Sequence, residues 1–199
     1  WIFGFGKTKK KSSTFTCETW QPPVGSDNCE SCNNDPMKPC SEYRCESLGA
    51  GCEIVNQGTA EEMCDSGTDD GRPPRFGTSP EIISENLAYS NVSDNGFAVT
   101  SADGGCVPAY TSLSFGITTD ELATCMFDFE MKDYENMTRK FGSSSFTNEH
   151  NVLVALPDPS HGQSQGLNWT GELTLYIKCR DRFGHESPEF YVVDMCVME

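Results

Sequence analysis

Crowded cysteines constrain this chain more than any other feature of its sequence. Seven of its eleven cysteines lie between residues 17 and 64, in a segment with few apolar side chains. Burial of hydrophobic surface alone does not stabilise so small and polar a segment. We therefore expect disulfides to stabilise it by restricting the unfolded chain, and disulfides indicate an oxidising compartment outside the cytosol.

Six of these cysteines are expected to form three disulfides within one module. They are Cys29, Cys32, Cys40, Cys45, Cys52 and Cys64. Their spacing leaves the connectivity open. The alternative is a zinc site, because Cys29 and Cys32 have the spacing of metal ligands. The module lacks a second such pair and contains no histidine, so disulfides are favoured over zinc.

Changes in composition divide the chain into four segments. Residues 1–16 are expected to form an extended arm, 17–64 the cysteine-rich module, 65–80 a linker rich in turn residues, and 81–199 a β domain. The arm starts with the apolar residues Trp1, Ile2, Phe3 and Phe5. In the module, Ser41 is expected to cap a short helix, and residues 58–64 to form a second helical turn.

Alternating apolar residues in 81–199 predict a mainly β fold, an antiparallel β-sandwich. The expected inward-facing sets are Phe97 and Val99; Leu113, Phe115 and Ile117; Cys125, Phe127, Phe129 and Met131; Leu173, Leu175, Ile177 and Cys179; and Phe190, Val192 and Cys196. Cys125 and Cys179 each lie on the apolar face of a predicted strand. That placement allows an inter-sheet disulfide through the core.

Eleven cysteines cannot all pair within one chain. If the six module cysteines pair together and Cys125 pairs with Cys179, then Cys17, Cys106 and Cys196 remain. Each is a candidate for a free thiol or an intermolecular bond. Cys17 is the strongest candidate because it lies beside the arm, and a partner beyond residue 199 is an equal alternative.

Three N-x-S/T sequons mark candidate glycosylation sites at Asn91, Asn136 and Asn168. All three lie in predicted turns of the β domain, where an attached glycan is accommodated at the surface. We therefore expect glycans as covalent partners of this chain.

A net charge of −16 shapes the expected partners. It disfavours nucleic acid, whose phosphates would be repelled. Acidic turns offer candidate calcium ligands at Asp65, Asp69 and Asp70, at Asp94 and at Asp103, although none matches the D-x-[DN]-x-[DN]-G loop. We therefore expect no bound cofactor; calcium is the alternative, and zinc is disfavoured.

Catalytic signatures are missing from the sequence. The three histidines, His150, His161 and His185, lie in polar turn contexts. No nucleophile elbow, phosphate loop or H-E-x-x-H motif is present. We therefore predict no catalytic residue and no enzymatic activity.

No stretch reaches the roughly 18 apolar residues that a membrane helix needs. The chain begins with Trp1, so we expect that a leader or anchor precedes it. Membrane contact is expected only through such an anchor.

Two parts of the chain resemble a known pairing of domains. The module, with CESC at 29–32 and PCSEYRCESLG at 39–49, resembles a cysteine-rich module of large uncharacterised secreted or surface proteins from small-genome archaea. The strings SFGITTDELATC at 114–125, YENM at 134–137 and LYIKCRDRFG at 175–184 resemble the Ig-like domain that accompanies it. The resemblance implies that Cys125 and Cys179 form the domain's bridge. It also places His185 where Asn is usual.

These observations lead to an expectation about function. The expected function is that of an extracellular structural protein, a subunit of a surface filament or layer that self-associates through the arm and domain contacts. The alternative is a binding ectodomain or adhesin of a larger anchored protein, whose exposed loops bind a glycan or a protein. A secreted hydrolase is the third and least supported class.

Overall fold

The computed structural model describes residues 9–17, 19–77, 81–82, 84–142, 145–156, 158 and 171–198. The apolar start of the arm (Trp1, Ile2, Phe3 and Phe5), His161 and the sequon at Asn168 lie outside the described residues. The module contains a 3-10 helix (Cys29–Cys32), helix α1 (Glu42–Glu46), and strands β1 (Cys52–Val55) and β2 (Met63–Ser66). The β domain contains β3 (Glu81–Ile82), β4 (Leu87–Ser93), β5 (Gly96–Ser101), β6 (Val107–Pro108), β7 (Ser112–Asp128), a 3-10 helix (Tyr134–Asn136), β8 (Arg139–Phe141), β9 (Thr147–Ala155), β10 (Glu172–Asp181) and β11 (Tyr191–Met198). The predicted fold class, a mainly β domain preceded by a disulfide-rich module with short helices, is confirmed.

Disulfides take the place of a hydrophobic core in the module. The bonds join Cys29 to Cys52, Cys32 to Cys40 and Cys45 to Cys64. Five of these six cysteines are buried, and Leu48 and Ile54 pack against them. The sulfur atoms therefore occupy the centre of the module, where a larger domain would place aliphatic side chains.

Local capping chemistry fixes the one α-helix of the described module. The side chain of Ser41 accepts a hydrogen bond from the backbone N–H of Arg44, which satisfies one of the free donors at the start of α1. This cap was predicted and is confirmed. The helical turn expected at residues 58–64 is wrong, because Met63 and Cys64 belong to β2 and pair with Val55 and Ile54 of β1.

Strand β7 organises the β domain because it pairs on both sides along its length. Its first half lies between β3 and β9, and its second half lies between β10 and β8. The register with β9 shifts between Thr118 and Ala123. The shift lies where the neighbour of β7 on its other side changes from β3 to β10.

The two layers meet over an aromatic core. Phe97 of β5 and Phe115 of β7 lie on strands that are not hydrogen-bonded neighbours, yet their ring centroids are 5.7 Å apart at a steep angle. Phe115 also contacts Phe141 of β8 at 5.5 Å. Edge-to-face contacts of this kind add to the stabilisation from burial.

Strand direction differs from the prediction. Most pairs are antiparallel, but β11 runs parallel to both β5 and β6. The sheet is therefore mixed, because the last strand inserts between β10 and β5. A period of two in the sequence carries no information on the direction of the neighbouring strand.

Two of the predicted inward faces are wrong. In β11 the buried residues are Tyr191, Val193, Met195 and Val197, the opposite parity from Val192 and Cys196. The face predicted from Cys125 to Met131 stops with β7 at Asp128, and Met131 is 66% exposed. The other faces hold, with Leu113, Phe115 and Ile117 buried as a set.

The bond between Cys125 and Cys179 crosses neighbouring strands of one sheet. The two residues lie directly opposite each other in the β7–β10 ladder, and both are fully buried. The expected inter-sheet bridge is thus corrected to a cross-strand bridge. Its role is to join the second half of β7 to β10, which are already hydrogen-bonded.

Residues 65–77, the described part of the predicted linker, are more structured than a linker. Strand β2 extends through Ser66, and Phe76 forms a bridge with Thr119 of β7 while its ring contacts Tyr191 at 4.8 Å. The backbone N–H of Gly77 donates to the carbonyl of Thr118. The end of this segment therefore belongs to the β domain.

Candidate functional site

Segment 9–17 leads into the module as exposed chain without helix or strand. Phe15 exposes 84% of its surface, more than its apolar ring would in a folded core. None of these residues makes a hydrogen bond, ion pair or ring contact with another described residue. An exposed aromatic residue on an extended chain is a surface available to a partner.

Cys17 is the cysteine that the described residues leave unpaired, and it is exposed. The other ten cysteines form five disulfides. Cys106 and Cys196, considered as free or intermolecular thiols, are bonded to each other. That bond ties the loop before β6 to β11, and β6 pairs with β11 beside it. The candidates for an intermolecular bond are thus reduced to Cys17.

The two described sequons lie at the surface. The turn predicted at Asn91 is wrong, because this residue lies in β4, with a φ of 53° within a register shift between Ser90 and Ser93. Asn136 is exposed at the end of a 3-10 helix, but the next residue, Met137, is buried. Both asparagine side chains can therefore be reached by a modifying enzyme.

Arg182 links the module to the β domain through a hydrogen bond and two ion pairs. Its Nη2 donates to the carbonyl of Ser66 at 2.7 Å, and its guanidinium lies 3.6 Å from Glu53 and 3.7 Å from Asp65. The Arg182 side chain is only 11% exposed. Arg182 could not be predicted from the sequence, because nothing in its neighbourhood along the chain indicates that it faces the module.

Acidic side chains line the cleft beside this junction. They include Asp65, Asp70, Asp120, Glu121 and Asp181. Burial, together with the charges of Asp70, Asp181 and Asp120, raises the pKa of Glu121 to about 7. Burial also raises the pKa of Asp65, against the opposing effect of Arg182. Near neutral pH, Glu121 is thus only partly ionised.

His185 closes the turn after β10. Its backbone N–H and its ring Nδ1 each lie 2.8 Å from a different carboxylate oxygen of Asp181. The ring is also 3.6 Å from Asp69. The hydrogen bond that the His185 ring donates to the Asp181 carboxylate raises the pKa of His185. The resemblance places Asn at this position, and here the imidazole serves the turn by bonding directly to Asp181.

Three carboxylates of the acidic turns accept hydrogen bonds within those turns. Asp69 and Asp70 each accept a backbone N–H of their own turn. Asp103 accepts the Ser101 hydroxyl and the N–H of Gly105. Among the described residues, the groups of three ligand atoms close enough to share a metal ion consist only of cysteines. Those cysteines are bonded in disulfides, so their sulfurs are not free thiolates for zinc.

His150 is the buried histidine of the described chain. It is 1% exposed and sits on β9 opposite Ile117. Its Nε2 lies 3.4 Å from the Thr119 hydroxyl, and its Nδ1 has no hydrogen-bond partner among the described residues. Burial lowers the pKa of His150 to about 4. The ring is neutral at physiological pH and is closed off from any substrate.

No protein-family model and no curated protein sequence matches this chain. Within the described residues, no helix has the length and apolar character to span a bilayer. Five disulfides indicate a non-cytosolic location, since cytosolic thiols are kept reduced. The fold and the bonds thus define a disulfide-rich, mainly β protein of an oxidising compartment.

Proposed function

We propose that this protein is an extracellular structural subunit that self-associates into a surface filament or layer through its N-terminal arm. The observation that carries the proposal is the state of segment 9–17: without helix or strand, exposed, and ending in the unpaired Cys17. A chain with ten of eleven cysteines bonded has passed through an oxidising environment. An exposed thiol retained there is suited to link one copy to another.

The rest of the molecule fits a durable building block. Disulfides cross-link the module, and two more reinforce the β domain at Cys106–Cys196 and Cys125–Cys179. Arg182 holds the two parts together. A protein of this build resists unfolding outside the cell, and glycans on Asn91 or Asn136 would add bulk and solubility.

The intermolecular link would be a disulfide between the Cys17 thiols of two copies. The S–S bond forms as both thiols lose their protons, and a small-molecule disulfide accepts the two electrons and is reduced to two thiols. One bond joins only two copies. Non-covalent contacts of the arm must therefore extend the assembly beyond a dimer.

Sedimentation velocity and electron microscopy of the full chain across a concentration series test this proposal. We expect species larger than a monomer that grow with concentration, and covalent dimers that vanish on mild reduction. Cys17→Ser should remove the covalent dimer while leaving the larger species weakened. Monodisperse monomers at every concentration, with oxidant present, would sink the proposal.

One observation favours the adhesin alternative. On the module surface, Trp20 and Tyr43 lie with their rings 5.7 Å apart and are 51% and 69% exposed. Exposed aromatic rings offer apolar surface for a sugar ring or a protein partner. Glycan binding that is lost in Trp20→Ala, and that is present in a strictly monomeric protein, would favour this function over assembly.

A further inference from the structure

Strand β4 lies at an edge of the large sheet as far as the described strands show. Among the described strands it pairs only with β5. Its sequence, LAYSNVS, contains neither a charged residue nor proline. Edge strands without such residues offer free N–H and C=O groups to another extended chain.

The other described edges carry the protection that β4 lacks. Arg139 and Lys140 lie in β8, Glu149 lies in β9, and β3 is only two residues long. The two-residue β6 ends in Pro108. Charged residues and proline on an edge discourage strand addition, so this difference singles out β4 as the edge open to a partner.

The core is also incompletely covered at this edge. Tyr89 pairs with the buried Val99, so its side chain points to the core side of the sheet, yet it remains 49% exposed. Its ring meets Phe97 edge-on at 6.5 Å. Leu87, on the same side, is only partly buried against the core. One more strand with an apolar residue beside Tyr89 would cover this rim.

Segment 12–17 has the composition of that missing strand. It reads SSTFTC, without charge, and is rich in hydroxyl, β-branched and aromatic residues that suit a strand. In an extended chain Phe15 and Cys17 point to the same side. Phe15, exposed in the free chain, is therefore the apolar residue that would face Tyr89.

We infer that the β4 edge of one copy binds segment 12–17 of a neighbouring copy as an added strand. The regular ladder of β4 covers Leu87–Ser90, and the register shift at Asn91 limits the added pairing to about this length. Phe15 packs beside Tyr89, and backbone hydrogen bonds supply the rest of the contact. This inference rests on the proposed self-association and names its acceptor surface.

Cys17 reports directly on the pairing. With Phe15 beside Tyr89, an antiparallel segment places Cys17 opposite Leu87, and a parallel segment places it near Asn91. The thiol introduced by Leu87→Cys or by Asn91→Cys should therefore form a disulfide with Cys17 of another copy. The control is Leu153→Cys, because Leu153 is 72% exposed on the β9 edge.

The cross-linking experiment uses the full chain with oxidised glutathione, which accepts the two electrons from the two thiols. Mixed light and heavy isotope-labelled protein identifies bonds between copies by mass spectrometry. We expect one of the two β4 variants to link to Cys17 about tenfold faster than the β9 control. Equal rates in all three variants would overturn the inference.

A second measurement does not depend on cysteine chemistry. Tyr89→Lys places a charge on the edge and should raise the dissociation constant for self-association about tenfold, whereas Leu153→Lys should leave it unchanged. Phe15→Ala should weaken association like Tyr89→Lys, and Met37→Ala, a change at an equally exposed module residue, should not. Circular dichroism checks that each variant remains folded.

The outcomes separate the inference from the proposed function. If the wild-type chain assembles and Tyr89→Lys assembles equally well, the β4 acceptor is wrong and self-association stands. If the wild-type chain remains a monomer throughout, self-association itself is wrong. Loss of assembly in Tyr89→Lys and Phe15→Ala, but in neither control, supports both.

Discussion

His150 is expected to make the β domain sensitive to mild acid. The ring is 1% exposed, and burial lowers its pKa to about 4 from an ordinary value of 6.5. In the unfolded chain the imidazole takes up a proton as the pH falls below 6.5. In the folded chain it does so only near pH 4. The unfolded state therefore binds more protons in this window, and acid shifts the equilibrium towards it.

The size of this effect follows from the two pKa values. A difference of about 2.5 pH units corresponds to about 3 kcal/mol of lost folding stability between pH 7 and pH 4. Many small domains have only about 5–15 kcal/mol of stability, so this loss is large. His150→Gln removes the titrating group while keeping a polar side chain of similar size. Between pH 7 and pH 4, this variant should therefore lose about 3 kcal/mol less folding stability than the wild type.

Urea unfolding at pH 7, 6, 5 and 4, followed by circular dichroism, measures this difference. Carboxylates titrate in both proteins and cancel in the comparison. His185→Gln is the control of opposite sign. The raised pKa of His185 contributes stability at acid pH that is lost as the pH rises through that pKa, so its removal should weaken the protein mainly in acid. Parallel pH profiles for the wild type and His150→Gln would refute the reasoning.

Three further predictions concern the disulfides and the acidic cleft. Replacing Cys106 and Cys196 together by serine removes a disulfide with a sequence separation of 90 and should lower the folding stability by about 4.5 kcal/mol. The same change at Cys32 and Cys40, with a separation of 8, should lower it by about 2.5 kcal/mol. Equal losses of stability in thermal unfolding would contradict the loop-length argument. Limited proteolysis with reductant should cleave the module before the β domain, because only the module depends on sulfur atoms for its core; simultaneous cleavage would contradict this. Glu121→Gln should stabilise the protein above pH 7 and have no effect near pH 4. The pKa of Glu121 is raised in the folded chain, so folding stability is lost as the pH rises towards that pKa. A pH-independent effect on the urea midpoint would argue against this cause.

Local sequence signals predicted some of the local features, although not the β-strand that begins at Met63. The Ser41 cap of α1 could be predicted because it requires only a hydroxyl group next to the free N–H groups at the start of the helix. The alternation in Leu113, Phe115 and Ile117 was enough to place one face of β7 in the core. In the final strand, the same method selected the wrong parity, since apolar residues stand on both faces of β11 and only packing against the opposite layer decides which face is buried.

Contacts between residues that are far apart along the chain could not be predicted from the sequence. The sequence by itself determined that this chain is disulfide-rich, mainly β and strongly acidic, because cysteine number, strand periodicity and charge can be read along the chain. The tertiary structure decided that Cys125 and Cys179 lie on neighbouring strands, that Cys106 meets Cys196, and that Arg182 reaches the module. It also left Cys17 exposed and β4 at an open edge. Which strands become neighbours depends on long-range packing, and that packing determines the surfaces that remain free for another copy.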